Sequence, residues 1–575
     1  MNIKVTDYCT ASNSSMGVNE AIKNMQSGDT LLFPTGEYHF YKDFSIHKVC
    51  YMTNTDSFKA PDKYFAIDIE NKDDITVDGC GSTFVIHGDM CSFAMFNCSN
   101  IKLKNFTVKY NSPTNYEMKV IKKSINKITY KIPLKSPFYI KDNKLTFFEQ
   151  SPFTKKNYYS YTANGQCYCN VVHRGNSVFR TALSPTKTAI KIKKVDNDTV
   201  ECKYLISPKF KVGDVVTMSH NKLRDNSGLF FDECSNVDCE NITVNYMHGF
   251  GWLSQMCENL NFKNITFTPA KGYTVSSFAD LIHICGCKGY VNIIDSYFEH
   301  PHDDAINVHG AFLRLKKIID TNTAELEFVH HQQGGYKAFF PENEVKIYRR
   351  ADLSELKDVY TVESTEDDID NKCVKVKFKE ALPPLKPEQF VFENITYNPE
   401  LTISGCTFNA IPTRGILCTT DRPSKIFNNT FKNIFDNGVF ILNWKNATIE
   451  NNTFNKIGLK SKKAYSSGAH AISGGGIEGI HVKNNTFSNV KRNPIYFCVQ
   501  QNVGSASSYS KVKTNITKEQ TEEMLTNTVS NCGYDMNVIF KGYDILYFRG
   551  NSERTRENAV AINLKKQEIS WGIEK

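Results

Sequence analysis

The chain has 575 residues and a mass of 65.4 kDa, which is too long for one ordinary hydrophobic core, so we expect several domains or an elongated repeat. Its 69 Lys and Arg residues outnumber its 61 Asp and Glu residues, and the formal charge of +8 is mild for this length. The sequence has no dense run of Lys and Arg and no apolar run of membrane-spanning length, so we expect neither a nucleic-acid partner nor a membrane partner.

The 18 cysteines are spread along the chain, without a CxxC pair and without the His and Cys spacing typical of zinc, so we predict no metal site. Many of them lie in apolar, strand-like runs, which weakly favours a reducing compartment. The first residues, MNIKVTDYCTASNSS, lack the apolar segment of a signal peptide. We therefore expect a cytoplasmic protein, or a secreted or periplasmic one if the N-terminus was trimmed.

Residues 17–26 (GVNEAIKNMQ) predict a short amphipathic helix, and SGDTLLFPTGEYHF after it predicts two strands joined by a Pro/Gly turn. A helix that covers the first strands is typical of parallel β-helices, because the open end of the stack would otherwise expose apolar side chains. Short strands broken by Asn, Asp and Gly follow. We interpret residues 1–110 as an N-terminal cap and the first β-helix coils.

One short strand recurs along the chain, and this internal repeat decides the fold prediction. Several copies are 23 residues apart, for example Thr243 and Thr266, or Thr407 and Thr430. Such a period predicts an all-β protein, a right-handed parallel β-helix of the pectin-lyase-like type, with Asn ladders at the corners and Phe stacked inside. The copies are Asn105–Val108, Asn241–Val244, Asn264–Phe267, Ser296–Phe298, Gly405–Phe408, Asn428–Phe431, Asn451–Phe454 and Asn484–Phe487.

Two long stretches lose the repeat and show alternating strands with frequent turn signals, which predicts two inserted antiparallel β-barrel domains at 111–229 and 311–399. Residues 230–310 and 400–500 are then β-helix coils, and 501–575 form a C-terminal cap. Within this cap, TKEQTEEMLTNTV predicts a helix and YDILYFRG a final strand.

The stretch 277–310 contains three carboxylates, Asp280, Asp303 and Asp304, and four histidines beside two short apolar runs. Asp280 and Asp303 are 23 residues apart, so we expect them one above the other on adjacent coils, with backbones about 4.8 Å apart. Three carboxylates this close resist simultaneous ionisation, which provides an acid beside a base, as glycoside hydrolysis requires. His283 is expected to be a packed or corner histidine.

A second register supports this placement, because the sixth residue after several repeat Phe residues is polar and precedes an apolar strand. These residues predict a polar column along one edge of the coils. Strand alternation places Asp303, Asn307 and His309 on the face towards solvent or a groove. A lone Asp at such a corner usually caps backbone amides, so the clustering carries the functional hypothesis. The column is Asp304, Arg414, Asn437 and Asn493.

The stretches FADLIHICGCKGYVNIIDSYFEHPHDDAINVHG, HHQQGGYKAFF and PTRGILCTTDRPSKIFNNTF resemble glycoside hydrolase family 110, the α-1,3-galactosidases that act on blood-group-B-type and related glycans. The resemblance implies a β-helix with two inserted β-barrels and an inverting, metal-independent hydrolase without a cofactor. The essential carboxylates of the family would match Asp280, Asp303 and Asp304. Terminal α-galactosyl glycans would be the substrates, and oligomerisation stays open.

In this hypothesis Arg414 and Asn307 bind sugar hydroxyls, with His309, Gln332 and Trp444 as further binding residues. Two alternatives remain at this level. One is another β-helix enzyme, a polygalacturonase-like hydrolase or a polysaccharide lyase, although a lyase needs a basic proton abstractor and the site is acidic. The other is a non-catalytic glycan-binding β-helix, which would keep binding after loss of Asp303.

Overall fold

The structure is a computed structural model, and it describes residues 1–163, 169–173, 177–181, 183–219, 224–459, 469–498, 500–501, 510–511, 513–533, 542–549 and 557–572. Its strands form a parallel β-helix with antiparallel insertions, which confirms the predicted fold class. Among these residues, the helices are all too short or too polar to cross a membrane.

The two α-helices of the described residues lie towards the two ends of the chain. The predicted N-terminal helix is Ser15–Asn24, and it buries Val18, Ala21 and Ile22 against the first coils. The predicted C-terminal helix is Lys518–Glu523, which begins with a capping box between Thr517 and Gln520. Single 3-10 turns are Val5–Asp7, Lys42–Phe44 and Met524–Thr526.

One long sheet of the β-helix contains the strands that precede and follow the carboxylate cluster. Most of its strands pair in parallel, and Ile282–Cys285 pairs with Ile306–His309. Its members are Ile46–Val49, Asp62–Glu70, Cys91–Phe96, Leu229–Asp232, Trp252–Gln255, Ile282–Cys285, Ile306–His309, Ile416–Cys418, Val439–Leu442, Ile472–Gly475, Ile495–Cys498, Ile545–Phe548, Ala559–Asn563 and Glu568–Trp571.

The other long sheet contains the recurring Asn-Thr-Phe strands. Thr407 pairs with Thr430 and Thr430 with Thr453, so the predicted 23-residue coil is confirmed there. Its members are Asn2–Lys4, Thr30–Leu32, Glu37–Tyr41, Asp73–His87, Ser99–Tyr110, Ser235–Val244, Glu258–Phe267, Lys288–Ile294, Tyr297–Glu299, Glu400–Ser404, Thr407–Asn409, Ser424–Phe427, Thr430–Ile434, Lys445–Glu450, Thr453–Ile457, Glu478–Lys483, Thr486–Ser488 and Thr528–Ser530.

The predicted stack of Phe rings fills the interior of the coils. The rings of Phe408, Phe431 and Phe454 are 4.6 Å apart from centroid to centroid and nearly parallel. Phe298 and Phe487 extend this stack at its two ends. All five side chains are fully buried, so each coil adds one aromatic layer to a continuous core.

The predicted Asn ladder is also present, and it is buried. Asn452 Oδ1 accepts hydrogen bonds from the backbone N–H of Asn429 at 2.9 Å and from its Nδ2 at 3.0 Å. Asn452 in turn donates to Asn485 Oδ1 and to the Ile426 carbonyl. Asn485 repeats the pattern with Asn527. The ladder satisfies backbone groups at a corner that water does not reach.

Replacing Asn452 by Ala removes the ladder partner of Asn429 and leaves buried polar groups without hydrogen bonds. We expect the free energy of unfolding to fall by about 2–4 kcal/mol, measured by denaturant titration. The matched control is Asn455→Ala, because Asn455 contacts Asn489 on the exposed surface and should change stability by less than about 0.5 kcal/mol. Equal losses for the two variants would contradict a stabilising role of the buried ladder.

The first insertion forms two antiparallel sheets with their own hydrophobic core. The larger sheet runs in the order Ser177–Thr181, Cys169–His173, Val215–Met218, Tyr116–Lys123, Lys127–Lys131, Thr199–Tyr204 and Ala189–Lys194. The smaller sheet consists of Phe138–Lys141, Lys144–Gln150 and Asn157–Thr162. Tyr116–Lys123, the first strand of the insertion, is the central strand of the larger sheet.

The second insertion closes into an antiparallel barrel around a separate core. Its strands are Phe312–Ile318, Thr323–Glu327, Glu344–Arg349, Glu355–Asp368, Cys373–Phe378 and Phe390–Asn394. At the C-terminus, the predicted strand Ile545–Phe548 is followed by two antiparallel strands, Ala559–Asn563 and Glu568–Trp571, so the expectation that it is the last strand was wrong. Gln500–Gln501 and Ser510–Lys511 form a short antiparallel pair.

Candidate active site

The three predicted carboxylates come together at one edge of the coils. Asp280 lies before the strand Ile282–Cys285, and Asp303 and Asp304 lie before Ile306–His309. Each offers an oxygen within 4.8 Å of an oxygen of the other two. The cluster predicted from the sequence is therefore assembled by two neighbouring coils.

The register of these two coils differs by one residue from the prediction. Ile282 pairs with Ile306, which makes this coil 24 residues long, and Asp304 N donates to Asp280 Oδ1 at 3.3 Å. Asp280 therefore lies beside Asp304, and the expectation that it stacks on Asp303 was wrong. The 23-residue period holds in the Asn-Thr-Phe strands, whereas the connections at this corner vary in length.

Asp304 is held by Arg414 on the next coil. Its oxygens accept hydrogen bonds from Arg414 N and Nε at 3.0 Å and from Arg414 Nη2 at 2.6 Å. Its side chain is 2% exposed, whereas that of Arg414 is 29% exposed. Burial lowers the pKa of Arg414, but the neighbouring Asp304 outweighs burial and raises it above its ordinary value. These hydrogen bonds fix the two side chains against each other.

The predicted polar column continues beyond this pair with one addition. His470 N donates to Asn437 Oδ1 at 3.2 Å, and His470 Nδ1 lies 3.0 Å from the Asn493 carbonyl oxygen. The sequence count missed His470 because Val439 pairs with Ile472, a coil of 33 residues. The column is Asp304, Arg414, Asn437, His470 and Asn493.

Asp303 is the most exposed of the three carboxylates, with 27% of its side chain accessible. Arg180 of the first insertion lies 3.2 Å from Asp303 Oδ1 and also donates to the His302 carbonyl. Burial raises the pKa of Asp303, but the positive charges of Arg180, Arg414 and Arg224 outweigh burial and leave this pKa below its ordinary value. Asp303 is therefore ionised at neutral pH.

Asp280 is more buried than Asp303, and its pKa is shifted in the opposite direction. Its side chain is only 4% exposed, and burial is the largest cause that raises its pKa well above the ordinary value. The negative charges of Asp303 and Asp304 raise the pKa further, while Arg224 and Arg414 lower it by less. The site therefore combines a carboxyl group that resists ionisation with one that ionises readily.

When His309 is neutral, a series of hydrogen bonds gives the same protonation state for Asp280. His309 Nδ1 lies 2.7 Å from the Gly310 carbonyl oxygen, which only accepts, so Nδ1 carries the hydrogen. In neutral His309, Nε2 is then an acceptor for Asn54 Nδ2 at 3.2 Å and for His283 Nε2 at 2.9 Å. Thr53 Oγ1 donates to Asn54 Oδ1, which fixes the orientation of this amide.

This chain continues through His283 to Asp280. His283 donates from Nε2, and its pKa is lowered well below the ordinary value by burial, His309 and Arg224, so it is neutral. Its Nδ1 is then an acceptor, 2.9 Å from Asp280 Oδ2. When His309 is neutral, the hydrogen between these two atoms therefore belongs to Asp280, which is then a carboxylic acid.

Burial lowers the pKa of His309, but Cys285 and the Gly310 carbonyl outweigh burial and leave this pKa above its ordinary value. His309 is neutral at pH values above that pKa. The donors and acceptors assigned here apply in that pH range. His283, predicted as a packed histidine, is fully buried and also connects His309 to Asp280.

The other predicted binding residues have different positions. Asn307 lies on the outward side of Ile306–His309, and its buried Oδ1 has no hydrogen-bond partner within the described part of the chain, so it can accept from a ligand. Gln332 of the second insertion accepts from Arg224 Nη2 at 2.9 Å. Trp444 is fully buried in the core of the coils, so the prediction that it contacts sugar is corrected.

Sequence reasoning missed three residues that shape this site: Asn54, Arg180 and Arg224. Arg180 and Arg224 come from the first insertion, and the Arg224 guanidinium lies 4.3 Å from the Phe250 ring centre. Their positions follow from how the insertion folds back on the coils, and no repeat signals them. The arginines already compensate the charge of the cluster, so this donor set suits acid–base chemistry better than a divalent cation.

A family model described as right handed beta helix region matches residues 393–517. Alpha-1,3-galactosidase A of Bacteroides thetaiotaomicron is 29% identical over 455 residues, covering 74% of this chain and 76% of the relative. Alpha-1,3-galactosidase B of the same organism is 26% identical over 409 residues, covering 70% and 65%. The protein is a glycosidase homologous to these enzymes.

The same enzyme type recurs in other organisms, since alpha-1,3-galactosidase A of Peterkaempfera griseoplana is 28% identical over 79% of this chain and 68% of the relative. Among solved structures, the A-module of the mannuronan C-5 epimerase AlgE4 of Azotobacter vinelandii is 10% identical with a TM-score of 0.36, covering 92% of this glycosidase and 96% of that chain. At this score the similarity supports no argument about activity.

Proposed function

We propose that the protein is an exo-acting hydrolase that removes terminal α-1,3-linked galactose from blood-group-B-type or linear α-galactosyl glycans, with inversion at the anomeric carbon. The observation that carries the proposal is the pairing of protonated Asp280 with ionised Asp303 in a homologue of alpha-1,3-galactosidases. Such a pair provides the acid and the base that glycoside hydrolysis needs.

In the proposed mechanism Asp280 gives its proton to the glycosidic oxygen as the bond to the anomeric carbon breaks. A water molecule attacks this carbon, and Asp303 takes the proton that the water loses. Asp280 ends ionised and Asp303 protonated, and exchange with solvent restores both. Asp304 keeps Arg414 in place, which is a narrower role than the catalytic one predicted from the sequence.

Substrate binding is assigned to two polar residues near the carboxylates, the partly exposed Arg414 and the half-buried Asn307. Arg414 is partly exposed although its Nε and Nη2 bind Asp304, and Asn307 Oδ1 accepts no bond within the described residues. Both can bind sugar hydroxyls, which present donors and acceptors side by side. Gln332 acts through Arg224, and His309 acts through His283.

The proposed inversion rests on the resemblance to family 110. Inverting carboxyl pairs are typically about 6.5–9.5 Å apart and retaining pairs about 5 Å apart. The nearest oxygens here are within 4.8 Å, which by that rule is closer to retention. The anomer that is released first therefore decides between the two outcomes.

The test is to incubate the protein with a galactose-α-1,3-galactose disaccharide and with the fucosylated B trisaccharide, and to follow the released sugar by NMR. We expect β-galactose as the first product, before mutarotation, and a preference between the two substrates. Melibiose, an α-1,6-linked galactoside, is the control for linkage. Release of α-galactose first would overturn inversion, and no galactose from either α-1,3 substrate would overturn the proposed activity.

A further inference from the structure

The first insertion exposes three large aliphatic side chains at one end of its seven-stranded sheet. Ile125 is 96% exposed, Leu205 83% and Ile206 86%. Ile125 lies in the turn between Tyr116–Lys123 and Lys127–Lys131, and Leu205 and Ile206 follow the neighbouring strand Thr199–Tyr204. Tyr204 N donates to the Asn126 carbonyl at 2.8 Å, which joins the two turns into one surface, here named the aliphatic tip.

This insertion also concentrates the positive charge of the protein. Residues 111–229 contain 21 Lys and Arg and eight Asp and Glu, a formal charge of +13, whereas the whole chain carries +8. The remaining residues therefore carry a net charge of −5. The moderate total charge does not reveal this contrast, because the rest of the chain is negative. The basic residues are also spread over several strands and never form a continuous run.

Lysines lie side by side next to the aliphatic tip. Lys203 is directly opposite Lys127 on one neighbouring strand and Lys191 on the other, and all three side chains are exposed. Glu201 compensates one of these charges through its 3.0 Å contact with Lys127. Lys119 and Lys131 form a second lysine pair across neighbouring strands of the same sheet. Like charges placed directly opposite one another destabilise a sheet, and an anionic partner removes this repulsion.

We propose that the aliphatic tip and the lysines beside it dock the protein on an anionic membrane surface, with Ile125, Leu205 and Ile206 inserted among the lipid headgroups. The proposal differs from the sequence prediction of no membrane partner, which rested on the lack of a continuous basic run. It concerns docking on a surface and includes no membrane-spanning segment.

A membrane is favoured over a soluble polyanion by the combination of the two features. A polyanion such as an acidic polysaccharide would use the lysines alone and gains nothing from three protruding aliphatic side chains. Lipid headgroups provide negative charge at their surface and an apolar layer just below, which matches lysines placed next to an aliphatic tip. The tip is distant in the strand order from Arg180, since its strands and Ser177–Thr181 lie on opposite sides of Tyr116–Lys123 in the sheet.

The test is co-sedimentation of the full chain with vesicles of phosphatidylcholine, with and without about 30 mol % phosphatidylserine, at about 0.1 M NaCl. We expect binding to the anionic vesicles and at least about tenfold weaker binding to the neutral ones. The triple variant Ile125→Ser, Leu205→Ser and Ile206→Ser should bind the anionic vesicles at least about tenfold more weakly. The variant Lys127→Gln, Lys191→Gln and Lys203→Gln should also bind more weakly and lose salt dependence.

The matched control replaces three exposed aliphatic residues of the second insertion, Ile319→Ser, Val359→Ser and Ile369→Ser, and should bind like the unchanged protein. Circular dichroism shows whether each variant is folded. Equal binding to neutral vesicles, no binding to anionic ones, or binding that the tip variant retains would overturn the proposal. So would binding to heparin alone, or a dimer in light scattering that the tip variant dissociates. Vesicle binding needs no substrate, so the result is independent of the proposed hydrolysis.

Discussion

Replacing Asp280 by Asn is expected to lower kcat/KM for the galactose-α-1,3-galactose disaccharide by about 10²–10⁴-fold, because the leaving sugar then lacks a proton donor. The loss should be much smaller for 4-nitrophenyl α-galactoside, whose leaving group departs without protonation. Steady-state kinetics on both substrates measure this contrast. The nearby control is Asp295→Asn, since Asp295 lies in a left-handed turn, where Asn is well tolerated.

The assignment of Asp280 as the acid can also be tested by replacing His309. His309→Ala removes the partner that makes His283 donate from Nε2, so Asp280 loses the constraint that keeps it protonated. Activity requires protonated Asp280 and is lost as pH rises through its pKa. The alkaline limb of the pH profile should therefore move to lower pH in this variant. Equal losses of Asp280→Asn on both substrates, with an unchanged alkaline limb in His309→Ala, would contradict the assignment of Asp280 as the acid.

Replacing Asp303 by Asn is expected to lower kcat/KM by about 10²–10⁴-fold on both substrates alike, because the attacking water loses its base whatever the leaving group. The comparison with Asp280→Asn separates the two roles. Retained binding of the disaccharide by Asp303→Asn, measured by calorimetry, would show that the loss is in the chemical step. Full activity of this variant would remove Asp303 from the mechanism.

Arg180→Met tests how the first insertion acts on Asp303. Without this charge at 3.2 Å, the pKa of Asp303 should rise, because Arg180 is the first of the arginines that lower it. Activity requires ionised Asp303 and is lost as pH falls through its pKa, so the acidic limb should move to higher pH. Lys187→Met, an exposed change in the same insertion, is the control. An acidic limb that stays in place would leave Arg180 with a structural role only.

The coils could be predicted from the sequence because each one repeats the same arrangement of side chains. Every Asn-Thr-Phe strand places a Phe inside and an Asn at a corner, so spacing alone gives the stack through Phe408 and Phe431 and the ladder through Asn452. The carboxylate cluster follows from the same spacing, since Asp280 and Asp304 precede adjacent strands. The error of one residue in their register arose where a corner connection departs from the repeat.

Other parts of the site could not be predicted, because they depend on contacts between distant segments. Arg180 contacts Asp303, and the charge of Arg224 acts on Asp280 and Asp303, from an insertion whose strands show only ordinary alternation. The state of Asp280 depends on Asn54, more than 200 residues away in the sequence, which orients His309. Trp444 illustrates the converse case, since an aromatic residue near the column could equally face a sugar or the core, and only packing decides.

Asp303 depends on an arginine of the first insertion, so the enzyme can lose activity while the coils are still folded. This insertion has a core of its own, apart from the continuous Phe stack of the coils. Partial opening of the insertion would withdraw Arg180 from Asp303 while most β-structure of the coils persists. Heating should therefore abolish turnover before it melts the spectroscopic signal of the coils, and the interval between the two temperatures reports how firmly the insertion is docked.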